Sequence, residues 1–211
     1  MKELIDELRS VGSYTPRQET IEALLNAGET RVYKAKKCIV AEGDVVTDFY
    51  ILKKGIARIA YFDGNQEVTF GFGSTGTLFL SPLGFCMRSP AFFSMIACTA
   101  VEMIVVSKQQ FKTLCESSHD MALWMLDMSV HQFCACEMKS EMLRGSATES
   151  FQSLTNGVIR KRFEDIEKNR PDIVKSVSSK VLASYLGITS AYLSNIRKAI
   201  YKSRKSGHGD G

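Results

Sequence analysis

Residues 178–200, SSKVLASYLGITSAYLSNIRKAI, hold the densest set of groups able to recognise another molecule. Val181, Leu182, Leu186, Ile188, Leu193 and Ile196 recur at helical spacing, so they form one apolar seam and turn their neighbours outward. In the second half those neighbours are Ser190, Ala191, Ser194, Asn195, Arg197 and Lys198, small hydrogen-bonding groups and a methyl followed by cations. A major groove suits such a surface: Asn pairs with two atoms of adenine, Ala meets a thymine methyl, and Ser reads either donors or acceptors. Thr189, Tyr192, Arg197 and Lys198 are better placed for phosphates, as is the Lys202-Ser203-Arg204-Lys205 run. The bland alternative is a helical hairpin with a solvated face.

The elements that would position this surface are legible in the same stretch. Ser178 or Ser179 opens a helix to about Leu186, Gly187 breaks it, Thr189 caps afresh, and a second helix runs through about Ile200. Ala183 is small where two helices must approach, which completes a helix-turn-helix plan. Charge agrees with it. Residues 151–211 hold 12 Lys and Arg against 5 Asp and Glu, whereas residues 1–150 hold 15 against 18, so a polyanion is drawn to the C-terminal part alone.

No other residue set offers comparable chemistry. Cys38, Cys86, Cys98, Cys115, Cys134 and Cys136 lack disulfide-scaffold spacing, no CxxC occurs, and His119, His131 and His208 lie far apart. His131, Cys134 and Cys136 do not share one helix face, so buried thiols beside a seam histidine are expected there, with no metal. An enzyme on a small roll would want histidines and a carboxylate inside it. Residues 30–110 contain no histidine, no P-loop and no nucleophile elbow, and neither a catalytic site nor a cofactor is expected.

Residues 30–108 read as short strands, among them Arg31 to Tyr33, Phe49 to Leu52, Ala57 to Tyr61 and Glu67 to Phe70. Asp63-Gly64-Asn65 marks a hairpin, and an all-β roll or jelly roll is the natural assembly. Pro16 to Ala27 reads as a helix capped by Thr15. From His119 to Arg144 the positions Met121, Trp124, Met128, His131, Ala135, Met138 and Met142 keep a heptad seam, with Leu123, Leu126, Val130 and Phe133 beside it. One stripe is expected on the roll and the other on a second subunit, the heptad seam being assigned to the dimer. Gly145-Ser146 reads as a hinge, and Thr155 or Asn156 as the cap of a helix running to about Lys168. The longest apolar stretch is broken by Glu102 and the opening residues lack an apolar block, so a cytoplasmic chain without a membrane span is expected.

These residues resemble the Crp-Fnr superfamily of transcription regulators. GDVVTDFYILKKGIARI (Gly43 to Ile59) resembles the glycine-framed strands of its cyclic-nucleotide-binding roll, and LASYLGITSAYLSNIRK (Leu182 to Lys198) its helix-turn-helix. The resemblance implies an α+β chain in three parts: an effector-sensing β-roll at 1–118, a dimerisation helix and hinge at 119–154, and a winged helix-turn-helix at 155–211. It also implies a homodimer on near-palindromic double-stranded DNA and contact with RNA polymerase. The alternative is a cyclic-nucleotide-binding-like module that regulates a protein partner without touching DNA.

The effector site departs from the family pattern. Where the family places Gly-Glu and a later Arg-Ser/Thr-Ala, this chain has Gly76-Thr77, a longer apolar run and Ala91-Phe92-Phe93, with Arg88-Ser89-Pro90 displaced. A cyclic phosphate would be left without its cation, so cyclic AMP is not the expected effector. Leu78, Phe79, Leu80, Phe85, Met87, Phe92, Phe93 and Trp124, with Arg88 near by, would line an apolar pocket for an unidentified small molecule, or fill that space themselves.

Overall fold

The computed structural model describes residues 1–145 and 153–206. Two helices, α1 (Lys2–Ser10) and α2 (Gln18–Ala27), precede eight strands: β1 (Glu29–Tyr33), β2 (Cys38–Val40), β3 (Phe49–Lys54), β4 (Ala57–Asp63), β5 (Gln66–Gly73), β6 (Leu78–Leu80), β7 (Ser94–Ala97) and β8 (Val101–Val106). A π-turn at Leu83–Met87 separates β6 from β7. Helices α3 (Lys108–Ser117), α4 (His119–Gly145), α5 (Ser153–Asn169), α6 (Pro171–Ser176), α7 (Ser179–Leu186) and α8 (Ser190–Ser206) follow.

The strands form two four-stranded sheets, ordered β1-β8-β3-β6 and β2-β7-β4-β5. In the first sheet the period-2 alternation serves two cores at once. Tyr50, Leu52, Phe79, Val101, Met103 and Val105 point into the roll, where they meet Met95, Ala97 and Ala57. Their neighbours Phe49, Ile51, Ile104 and Val106, with Leu78 and Leu80, point the other way, onto α1, α2, α3 and α4. A continuous apolar run such as Phe49-Tyr50-Ile51-Leu52 is what a strand buried on both faces requires.

Helix α1 was not legible as a helix, yet Leu4, Ile5 and Leu8 are buried in that outer core. Its apolar residues are few but fall on one side, and each adds about 1.5–3 kcal/mol when covered. Helix α2 starts at Gln18, later than expected, and its cap position is Arg17 without a side-chain bond. Thr15 therefore does not cap it; the carboxylate of Asp120, on α4, takes the Arg17 N–H at 3.0 Å instead. Ser107 caps α3 in a full capping box with Gln110.

Helix α4 corrects the assignment of its two stripes. Met121 and Trp124 have no exposed surface at all; they lie in the outer core of their own chain, with Met125 and Met128 against it. They cannot meet a second subunit. His131 is exposed, but it faces the N-terminal segment, with Nε2 3.3 Å from Ser13 Oγ and Nδ1 3.0 Å from the Asp127 carbonyl oxygen. The side chains of Ala135, Met138 and Met142, and the hinge residue Ser146, lie outside the described residues. On the face opposite the core, Leu126, Val130 and Phe133 are 61 %, 50 % and 64 % exposed. Periodicity found both stripes; volume decided between them, because the roll takes the indole and the thioethers.

Residues 1–59 and 72–145 pack as one unit, while residues 60–71, the outer part of the β4–β5 hairpin, pack with α5 to α8 as a second. The Asp63-Gly64-Asn65 turn does join β4 to β5, with Gly64 at φ +59°. Asn169 ends α5 and Pro171 begins α6 at its first turn, where a missing N–H costs nothing. Among the described residues no strand follows β8, so the expected wing is absent there; the place between α5 and α7 is taken by the short helix α6. No helix among the described residues is long and apolar enough to cross a membrane.

Candidate nucleic-acid interface

The C-terminal core is built by Ile159 and Phe163 of α5, Leu182, Ala183 and Leu186 of α7, and Leu193, Ile196 and Ile200 of α8. Ser178 caps α7 by accepting the Val181 N–H at 3.3 Å. At the other end Gly187 takes φ +71°, the left-handed conformation that a residue with a Cβ resists. The N–H of Ile188 then reaches the Ala183 carbonyl at 3.0 Å, and that of Gly187 the Ser184 carbonyl at 3.1 Å, which closes the helix in a Schellman motif. Thr189 Oγ1 accepts the Tyr192 N–H at 3.2 Å and so starts α8 immediately. Two caps and one glycine thus fix the angle between α7 and α8.

With Leu193, Ile196 and Ile200 buried, α8 presents Ser190, Ala191, Ser194, Asn195 and Lys198 to solvent, and Thr189 is exposed just before it. Six of the eight residues expected on this surface therefore share one exposed face. The other two differ. Tyr192 is half-buried against the core. Arg197 turns back: its Nη1 donates to Ser179 Oγ at 2.9 Å and its guanidinium lies 5.6 Å from the centre of the Phe163 ring. The sequence offered no signal for Ser179 and Phe163 as partners, since they stand 18 and 34 positions away on two other helices. Lys202 is exposed; the side chains of Ser203, Arg204 and Lys205 lie outside the described residues.

The expected effector residues do not converge on one cavity. Leu78 and Leu80 lie against the outer core with Trp124, whereas Phe79, between them, points into the roll. Phe93 is buried with its ring edge against Phe92, which is itself exposed, and Arg88 is exposed with φ +53° at the end of the π-turn. Alternation along β6 splits a run that sequence alone reads as one wall. Of the further residues in that run, Phe85 packs on Phe111 at the outer core and Met87 is exposed. The interior of the roll is occupied by Tyr50, Leu52, Phe79, Met95 and Met103, and burial pushes the Tyr50 phenol up to about 12. The Trp124 Nε1–H is buried without a hydrogen-bond partner. Among the described residues no three His, Cys, Asp or Glu side chains are grouped to hold a metal ion.

Residues 30–118 match the family model of the cyclic nucleotide-binding domain. No curated protein matches the sequence. Among solved structures, the chain is similar to the c-di-GMP responsive global regulator CLP of Xanthomonas campestris, at 18 % identity and TM-score 0.69, covering 92 % of this chain and 96 % of that one. FixK2 of Bradyrhizobium japonicum is 13 % identical with TM-score 0.65, over 83 % and 85 % of the two chains. The catabolite activator protein of Thermus thermophilus is 17 % identical with TM-score 0.54, over 88 % and 84 %. The chain shares the fold of these three proteins. Its roll is the part that matches the cyclic nucleotide-binding domain, and residues 182–198, LASYLGITSAYLSNIRK, span the end of α7, the turn and the first half of α8.

Proposed function

We propose that this chain is a homodimeric transcription regulator of the Crp-Fnr type that reads a near-palindromic DNA operator with α8 and acts through contact with RNA polymerase. The observation that carries the proposal is the row Ser190, Ala191, Ser194 and Asn195, all exposed at the start of a helix whose opposite side is buried. Base edges would be read by these four, and phosphates held by Thr189, Lys198 and the first amides of α8. The opposed sides of α4 support a second copy seated on Leu126, Val130 and Phe133, since an exposed apolar row backed by a packed core is what a helix pair buries. A two-fold dimer sets its half-sites about 34 Å apart.

Cyclic AMP is not the effector in this reading. Ala91-Phe92-Phe93 supplies no cation where the family holds the phosphate, and the roll interior is packed with the chain's own side chains. Selection of bound fragments from random DNA, with the purified protein and nothing added, tests the proposal. A symmetric site bound at nanomolar concentration, and weakened at least tenfold by Asn195→Ala, is expected. Recovery of no enriched sequence, or an Asn195→Ala variant that binds as wild type, would overturn it.

A further inference from the structure

Among the described residues strand β5 is the edge of its sheet, and no strand lies along its outer row of N–H and C=O groups there. One side chain fills two places in that row. The Thr69 N–H donates to Ser184 Oγ at 2.8 Å, and the Ser184 hydroxyl donates to the Glu67 carbonyl at 3.1 Å. Residues 67 and 69 are two apart, so their outward N–H and C=O face the same way and form the slot that a residue of a neighbouring strand would enter. Here the slot is entered by a helix side chain, from α7. Thr69 is only 2 % exposed and Ala60, on the paired strand, only 1 %. The hairpin is thus covered at these two positions while Phe62 and Phe70 stay exposed, and residues 60–71 pack within the same unit as α5 to α8.

We propose that the β4–β5 hairpin is a working part of the DNA reader, keyed into it by Ser184. Ser184 lies one residue from Ala183, whose carbonyl accepts the Ile188 N–H in the turn, and its own carbonyl accepts the Gly187 N–H. A hydroxyl fixed on β5 therefore holds the turn that aims α8. The chain on either side of the hairpin, residues 57–59 and 72–73, belongs to the roll unit. A shift of strands β4 and β5 within the roll would be passed by covalent continuity to α7, without any new contact. The proposal rests on the DNA reading above and names how that site is held and biased.

Hydrogen exchange of the full-length protein, read at the Thr69 amide, tests the key directly. Ser184→Ala should speed that exchange at least tenfold while amides of β3 and β8 stay unchanged, and Ser184→Thr, which keeps the hydroxyl, should restore it. Operator affinity of Ser184→Ala should fall about five- to tenfold, and by reciprocity saturating operator should slow Thr69 exchange in the wild type. Lys198→Ala should weaken the operator without altering Thr69 exchange in free protein. Unchanged Thr69 exchange in Ser184→Ala would show that the key is absent. Faster exchange with full operator affinity would show a docked hairpin that plays no part in reading; either result overturns the proposal. A wild-type protein that binds no duplex would sink the DNA reading itself, and is told apart because the exchange arm needs no DNA.

Discussion

Arg197 of α8 donates to the hydroxyl of Ser179, in the first turn of α7, while its guanidinium sits over the Phe163 ring of α5. One cation therefore joins three helices, α5, α7 and α8, and it is only half-exposed. Lys198, next to it, is exposed. Two neighbouring cations thus have different work.

That difference predicts separable effects on DNA binding. Lys198→Ala should lower the slope of log affinity against log salt by about one, as expected when one phosphate contact and its released counterion are lost. Arg197→Ala should weaken binding by about 1–2 kcal/mol with little change of slope, because it loosens the angle between α7 and α8. Arg197→Lys should recover little, since a single ammonium point charge cannot donate to Ser179 and lie over Phe163 at once as the broad planar guanidinium does. Titrations at several salt concentrations decide it; an equal drop in slope for both Ala variants would make Arg197 a phosphate contact.

The sides of α4 make a second prediction. Leu126→Glu with Phe133→Glu should give a folded monomer in sedimentation, because both side chains are exposed in the single chain. Trp124→Ala acts elsewhere: it empties a fully buried site and should cost about 3–5 kcal/mol of stability. A dimer that persists in the double Glu variant would refute the seam.

How much of this could be read from the residues follows from what each signal reports. Ser178, Gly187 and Thr189 are local stops and starts, so α7, the turn and the start of α8 were legible to within a residue, whereas α8 runs on to Ser206, six residues past the expected end at Ile200. Strands β1, β3, β4 and β5 were legible for the same reason, through alternation and the Gly64 turn. The stripe of α4 that meets the roll was not, because periodicity gives the faces and only packing gives their partners. The effector wall failed on a register question, since Phe79 and its neighbours Leu78 and Leu80 face different cores. A wing is implied by the family resemblance alone and has no local signal among these residues, and the keyed hairpin joins positions 115 and 117 apart.

Asp120 gives a prediction in pH. Burial pushes its carboxyl up, but the Thr20 hydroxyl at 2.5 Å, the Tyr14 hydroxyl at 2.7 Å, the Arg17 N–H and the Arg17 guanidinium outweigh that, and the net shift is downward. A carboxylate lowered in the folded state adds stability that is present above its unfolded value of about 3.9 and is lost as pH falls through the folded value. Asp120→Asn should therefore destabilise the roll by about 1–3 kcal/mol at neutral pH, and the gap to wild type should narrow below about pH 4. Urea unfolding at neutral and acid pH measures both. A gap that stays constant across that range would mean that the charge is irrelevant.

Two glycines should respond differently to the same methyl. Gly187 has φ +71° and open space where a Cβ would stand, so Gly187→Ala meets only the conformational penalty, about 1–2 kcal/mol. Gly12 has φ +89°, and a Cβ there would run into the Asp127 carboxylate. That carboxylate accepts the N–H groups of Ser13 at 2.9 Å and Tyr14 at 3.1 Å, which ties the N-terminal segment across α4. Gly12→Ala should therefore lose the same strain plus at least one of those bonds, about 2–4 kcal/mol in all. Trp124 is the single tryptophan and lies in the roll's outer core, so its fluorescence follows that unit alone. Its unfolding midpoint should drop in Gly12→Ala and stay put in Gly187→Ala, whose loss appears instead in operator affinity. If Gly12→Ala leaves the Trp124 midpoint unmoved, the clamp of Asp127 on the N-terminal segment contributes nothing.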